Sequence, residues 1–112
     1  MKRFLLFLTV YCISIIVLGC ATTREQWVGL NNYGVKCARL SLFHEAKVWL
    51  EEAKGLNQES ATIYNNLGVV YESLDLNEKA KACYEKAIEL DKKKVFRKNL
   101  ELFNKDHGEG NQ

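Results

Sequence analysis

The chain repeats itself at an interval of 34 residues, and that period restricts what it can fold into more than any other feature. Residues 27–60 and 61–94 align without a gap. Tyr33-Gly34 falls on Leu67-Gly68, and Asn31-Asn32 on Asn65-Asn66. Cys37 falls on Tyr71, Ala46 on Ala80, Leu50 on Tyr84 and Ala53 on Ala87. A period of this length signals stacked supersecondary units, each unable to bury its apolar face alone. Within the second unit, Leu67, Val70, Tyr71 and Leu74 recur three and four apart, as one face of a helix requires. Ala80, Cys83, Tyr84, Ala87 and Ile88 do the same on a following helix. Asp75-Leu76-Asn77 reads as the turn between them with Asn77 as N-cap, and Ser41 to His44 as its equivalent in the first unit. Gly55 is placed to cap the helix before it, and Ser60 or Thr62 to start the next.

Small and large residues alternate as a tight helix pair demands. Gly68 and Ala80 stand where two antiparallel helices approach, and Leu67, Tyr71 and Tyr84 fill the seam. The run Asn65-Asn66-Leu67-Gly68-Val69-Val70-Tyr71, then Ala80 and Tyr84-Glu85-Lys86-Ala87-Ile88-Glu89-Leu90-Asp91, resembles the tetratricopeptide repeat (TPR). The resemblance implies an all-α fold, a short α-solenoid of two helix pairs: a first TPR over 27–60 and a second over 61–94. Gln58 and Lys92 stand where that family has proline, so the last helices are expected to run on, with Lys92-Lys93-Lys94 near a helix C-terminus where positive charge suits the macrodipole. Residues 95–105, with Phe96, Leu100, Leu102 and Phe103, read as a capping helix, and residues 106–112 as a flexible tail. Lys98-Asn99-Leu100 echoes Asn65-Asn66-Leu67 with one residue deleted.

The family's modules hold peptides in a concave groove lined by the first helix of each unit. That carry-over names Asn31, Asn32, Val35 and Arg39, then Thr62, Asn65, Asn66, Val69 and Glu72, then Lys98, Asn99 and Leu102 as groove residues. An asparagine amide offers donor and acceptor together, which suits an extended backbone. The family's carboxylate clamp is not carried over. Asn31 replaces its first lysine and Val35 its first asparagine, leaving Asn66 as the one match.

The N-terminus carries a second signal. Lys2 and Arg3 precede an apolar run from Phe4 that closes on Val17-Leu18-Gly19-Cys20. A basic start, an apolar middle and a small residue before the cut make a secretory signal. The ending resembles a bacterial lipobox, which implies a lipoprotein signal peptide over 1–19, acylation (palmitate) of Cys20, and a short tether over 20–26. Ala21, rather than Asp, follows the cysteine, and by the enteric sorting pattern this favours the outer over the inner membrane. The alternative is an uncleaved anchor, since Phe4 to Thr23 holds no charge and is close to the roughly 20 residues that span a bilayer.

The charge balance narrows the partners. The chain has 16 Lys and Arg against 14 Asp and Glu. Loss of residues 1–19 takes away Lys2 and Arg3 and leaves the mature part neutral, which gives no broad attraction to nucleic acid. Cys37 and Cys83 lie in no metal-ligand spacing, fall on helices not expected to touch, and read as buried apolar filler. His44 and His107 have no nucleophile or acid partner at a useful spacing. No catalytic residues, no metal site and no cofactor are therefore expected. These readings converge on a lipid-anchored adaptor or scaffold for another envelope protein in the periplasm or outside the cell. The second reading is a structural module that self-associates as a homodimer on an uncleaved anchor.

Overall fold

A computed structural model of the chain describes residues 1–108, with the side chains at 17, 18 and 20–22 outside the description. The side chains of Val17, Leu18 and Cys20, read above as resembling a lipobox, and residues 109–112 of the expected tail therefore lie outside the description. Five helices follow in order among those described: α1 (Lys2–Arg39), α2 (Phe43–Leu56), α3 (Ala61–Ser73), α4 (Asn77–Leu90) and α5 (Lys94–His107). Helices α1 and α2 pack as one antiparallel pair and α3 and α4 as the next, while α2 meets α3 and α4 meets α5. This is the expected short α-solenoid with a closing helix.

Each pair is held by a glycine under a large side chain. A Cβ on Gly68 would stand 2.6 Å from Cε1 of Tyr84, and one on Gly34 2.7 Å from Cγ of Leu50. Tyr84 and Leu50 are both sealed from solvent. One continuous core joins Cys37, Ala46, Leu50 and Ala53 to Ile63, Leu67, Val70, Tyr71, Ala80, Cys83, Tyr84 and Phe103.

The turns differ from the expected chemistry. Ser41 and Asp75 adopt left-handed backbone, with φ of 60° and 58°. Leu42 N–H donates to Cys37 O and Ser41 N–H to Ala38 O; Leu76 and Asp75 repeat this onto Tyr71 and Glu72. Both are Schellman closures without the usual glycine. Asn77 is the first helical residue of α4 and its N-cap is Leu76, so the predicted Asn77 cap is displaced by one position. Gly55 lies inside α2 and Asn57 ends that helix, so Gly55 is not its cap. Ser60 does cap α3, its hydroxyl accepting from Ile63 N–H.

Nor do the helices run on. Asn57 and Asp91, one repeat apart, turn to extended backbone and end α2 and α4 without proline. Lys93 becomes the N-cap of α5 and Lys94 opens it, so these lysines sit at a helix start rather than at an end. Helix α5 begins one residue earlier than residue 95 and extends to His107, two past 105. The tether and the first repeat helix have no boundary in the backbone, because α1 is a single helix of 38 residues. Its side chains from Phe4 to Ile16 are exposed. Among the described residues no helix is long and apolar enough to cross a membrane.

The glycine contacts generate a paired prediction. Gly68→Ala drives a methyl into the Tyr84 ring and should cost about 1–3 kcal/mol, the usual penalty of overpacking. Gly55 is exposed on α2 with open space around its Cα. There, Gly55→Ala should add about 0.5–1 kcal/mol by restricting the unfolded chain. Thermal denaturation checks both: melting should fall for the first and rise for the second.

Candidate functional site

The concave face is built from α1, α3 and α5, and asparagines lock it together. Asn66 Nδ2 donates to Asn31 Oδ1 at 3.0 Å, and Asn99 Nδ2 donates to Asn65 Oδ1 at 2.8 Å. These are one interaction made twice. Asn31 and Asn65 occupy the same place in their units, and Asn99 matches Asn66 once the single deletion is allowed for. The deletion lies in the connection, residues 91–93 against residues 57–60. Helix α5 is therefore the first helix of a third unit, brought into register by a shorter link.

Of the residues predicted to line a groove, the structure divides the set. Asn31 is buried, and Asn65, Asn66 and Asn99 spend part of their hydrogen-bonding capacity on each other. Asn32, Arg39, Thr62, Val69, Lys98 and Leu102 are exposed and Val35 is half-buried. Val35, Val69 and Leu102 form an apolar column, one from each unit at the same repeat position. Glu72 does a different job, because its Oε2 accepts the Tyr84 hydroxyl at 2.7 Å. Its Oε1 lies 3.7 Å from Nδ1 of His107, so α3, α4 and α5 meet at this carboxylate.

Between the two units the face deepens into a hollow of about 220 Å³. Four of the predicted residues line it: Val35, Arg39, Asn66 and Val69. Behind them stand Ala38, Phe43, Leu50 and Val70, which the sequence reading did not assign to the groove. The missed signal lay in the repeat itself, where Leu50 and Ala38 oppose the larger Tyr84 and Glu72. Among the described residues, no group of three or more His, Cys, Asp or Glu side chains could hold a metal ion.

The family profile of the tetratricopeptide repeat matches residues 61–94, the second unit. Among solved structures, the first TPR of Spaghetti (RPAP3), bound to the HSP90 peptide SRMEEVD, superposes with a TM-score of 0.68. It is 25% identical, over 71% of this chain and 64% of that one. This chain thus matches less than two thirds of that structure's length. Residues 61–94 thus match a tetratricopeptide repeat, and the array shares the fold of that TPR structure. Among curated proteins, no sequence matches it.

Two tyrosine–carboxylate bonds tie the repeat's core to its surface. Tyr71 Oη donates to Glu51 Oε1 at 2.6 Å, across α3 and α2, as Tyr84 does to Glu72 across α4 and α3. Burial first, then the bonded carboxylate, raises both phenols well above their ordinary value of 10.0. Burial likewise raises the Cys83 thiol, which remains free, as does the buried Cys37. A phenol raised in the folded state contributes stability that is fully present below its unfolded value and fades above it. The array should thus hold constant tyrosine-linked stability up to about pH 10 and lose it as pH climbs further. Tyr71→Phe with Tyr84→Phe should be less stable at pH 7 by about 1–3 kcal/mol per charged hydrogen bond lost. Denaturant titrations at pH 7 and pH 11 check this, and the gap between the two proteins should narrow at the higher pH.

Proposed function

We propose that the protein is a lipid-anchored adaptor of the bacterial cell envelope, joined to the membrane through Cys20 and capturing an extended segment of another envelope protein on its concave face. The observation that carries the capture is the hollow lined by Val35, Arg39, Asn66 and Val69, the side chains at groove positions of two consecutive units. The related TPR structure holds a peptide, which supports a peptide as partner here. The anchor rests on the uncharged run that ends in Val17-Leu18-Gly19-Cys20. Two or more acyl chains give stable attachment where a single chain is marginal, each buried CH₂ being worth roughly 0.8 kcal/mol. On this reading the protein is not an enzyme.

Two measurements test the two halves separately. The intact mass of membrane-extracted protein should show loss of residues 1–19 and a gain of acyl mass, both absent in Cys20→Ser. An unmodified full-length mass would exclude the lipoprotein. For the groove, a photocrosslinker at Val69 should trap a discrete partner that the same group at Lys81 does not, and Val69→Asp should abolish trapping while leaving helicity unchanged. Asn66 is a poor choice for that variant, because its removal also breaks the bond to Asn31.

A second reading is favoured by the N-terminal end of the array. Tyr33 and Trp49 pack edge to face there, with centroids 5.1 Å apart. Their counterparts Leu67 and Cys83 are buried in the second unit, whereas Tyr33 is half exposed. A second copy covering this end would make a homodimer. Sedimentation of the protein in detergent should then show a dimer that Trp49→Glu dissociates, and a monomer at all concentrations excludes it.

A further inference from the structure

We infer that the hollow between the two units is a subsite for one apolar side chain of a peptide whose neighbouring residue is acidic, with Arg39 as the partner of that acid. The inference rests on the groove reading above and names the class of peptide the groove takes. In the second unit the Tyr84 ring covers Gly68, and its hydroxyl bonds Glu72. In the first unit Leu50 stands at the position of Tyr84 and Ala38 at that of Glu72. Both are shorter, and the volume they leave opens toward the concave face between Val35 and Val69.

Size and chemistry identify the occupant. At about 220 Å³ it is smaller than the roughly 300–1,000 Å³ of small-molecule sites. It suits a single side chain of leucine, isoleucine or methionine size. Apart from the Asn66 amide its walls are aliphatic and aromatic, and Arg39 is the one charged residue among those lining it. Arg39 is exposed in the last turn of α1, and none of the ion pairs among the described residues involves it. A guanidinium presents a planar fork of donors that matches a carboxylate in two bonds. Asn66 gives one N–H of its amide to Asn31, so its Oδ1 is left to accept from a peptide backbone N–H. An acidic residue beside an apolar one satisfies all three elements at once. This differs from a clamp on a terminal carboxylate, because the anchoring group is an internal side chain and the cation is on α1.

The test uses the full chain in detergent micelles and methyl-resolved NMR, with blocked heptapeptides of sequence Gly-Ser-Glu-Leu-Glu-Ser-Gly. The peptide should shift the methyl signals of Val35, Leu50 and Val69. Replacing its central Leu by Ala, or both Glu by Lys, should weaken binding at least fivefold. Ala38→Glu with Leu50→Tyr gives the first unit the residues that fill the second. It should weaken binding at least tenfold while the melting temperature holds. Should that variant unfold, Val35→Phe closes the same mouth from the solvent side. Arg39→Glu should reverse the preference, so that the Lys-flanked peptide binds better. Unchanged binding after filling, or an unchanged charge preference in Arg39→Glu, overturns the subsite. Shifts confined to Leu102 on α5 would overturn the subsite and leave the groove standing. Absence of shifts with every peptide also overturns it, and the groove itself is judged separately by the Val69 crosslink.

Discussion

Everything in this array depends on two helices being able to touch at a glycine. Gly34 lies beneath Leu50 and Gly68 beneath Tyr84, each at a separation that leaves no room for a Cβ. Such contact lets α1 and α2, and α3 and α4, bury small residues such as Ala46, Ala53 and Ala80 completely. It also sets the angle at which the next unit must be met. The tyrosine–carboxylate bonds then use the ring that covers Gly68, and the neighbouring Tyr71, to tie one helix to another. Packing comes first, and the polar bonds depend on the position it gives the rings.

Units are joined to units by a different device, the asparagine pair. Asn31 with Asn66 and Asn65 with Asn99 are the same bond at successive junctions. The second survives a deletion because the deleted residue falls in the connection before α5 and not in the helix. A hydrogen bond of this kind contributes about 1 kcal/mol net, so it does not drive stacking. Its value lies in register, since a shift of α5 by one residue would leave two amides unpaired in a partly buried seam. Residues that look like binding groups on a concave surface are, in this protein, partly structural. That dual use decides which substitutions can report on the proposed capture: Val69 can, and Asn66 cannot.

Much of the fold was legible in the sequence, because the period, the glycines and the alternation of Leu67, Val70 and Tyr71 are consequences of packing. The deletion before Lys98-Asn99-Leu100 was legible too, and it accounts for the way α5 docks. What sequence reasoning missed has a common cause. The turns at Ser41 and Asp75 were placed by the sequence, but their left-handed closure was not, because residues that tolerate such backbone less readily than glycine make it and no glycine marked it. The breaks at Asn57 and Asp91 were hidden by the missing proline, yet extended backbone at those residues ends both helices. The candidate site was half visible. Position alone gave Val35, Arg39, Asn66 and Val69, but the hollow behind them comes from a volume difference between Leu50 and Tyr84. A volume difference becomes a cavity only once the neighbours are known not to collapse into it.

The two ends of the array are chemically unlike, and this bears on how it can be used. On α5, Glu101 and Asn104 take the places held by Gly68 and Tyr71 on α3. A glutamate there does not offer the close seat that Gly68 gives the Tyr84 ring. Phe96 and Phe103 are nevertheless buried, which makes α5 a lid as well as a terminus. The opposite end carries no such closure. Tyr33 and Trp49 present aromatic surface at positions whose equivalents in the second unit are buried. Helix α1 leaves from this same unit and continues without a break toward the apolar N-terminal segment. The exposed aromatic pair therefore lies in the first unit, where α1 enters the array, and on the proposed readings that is the end a second copy would cover while the face across α1, α3 and α5 takes a peptide.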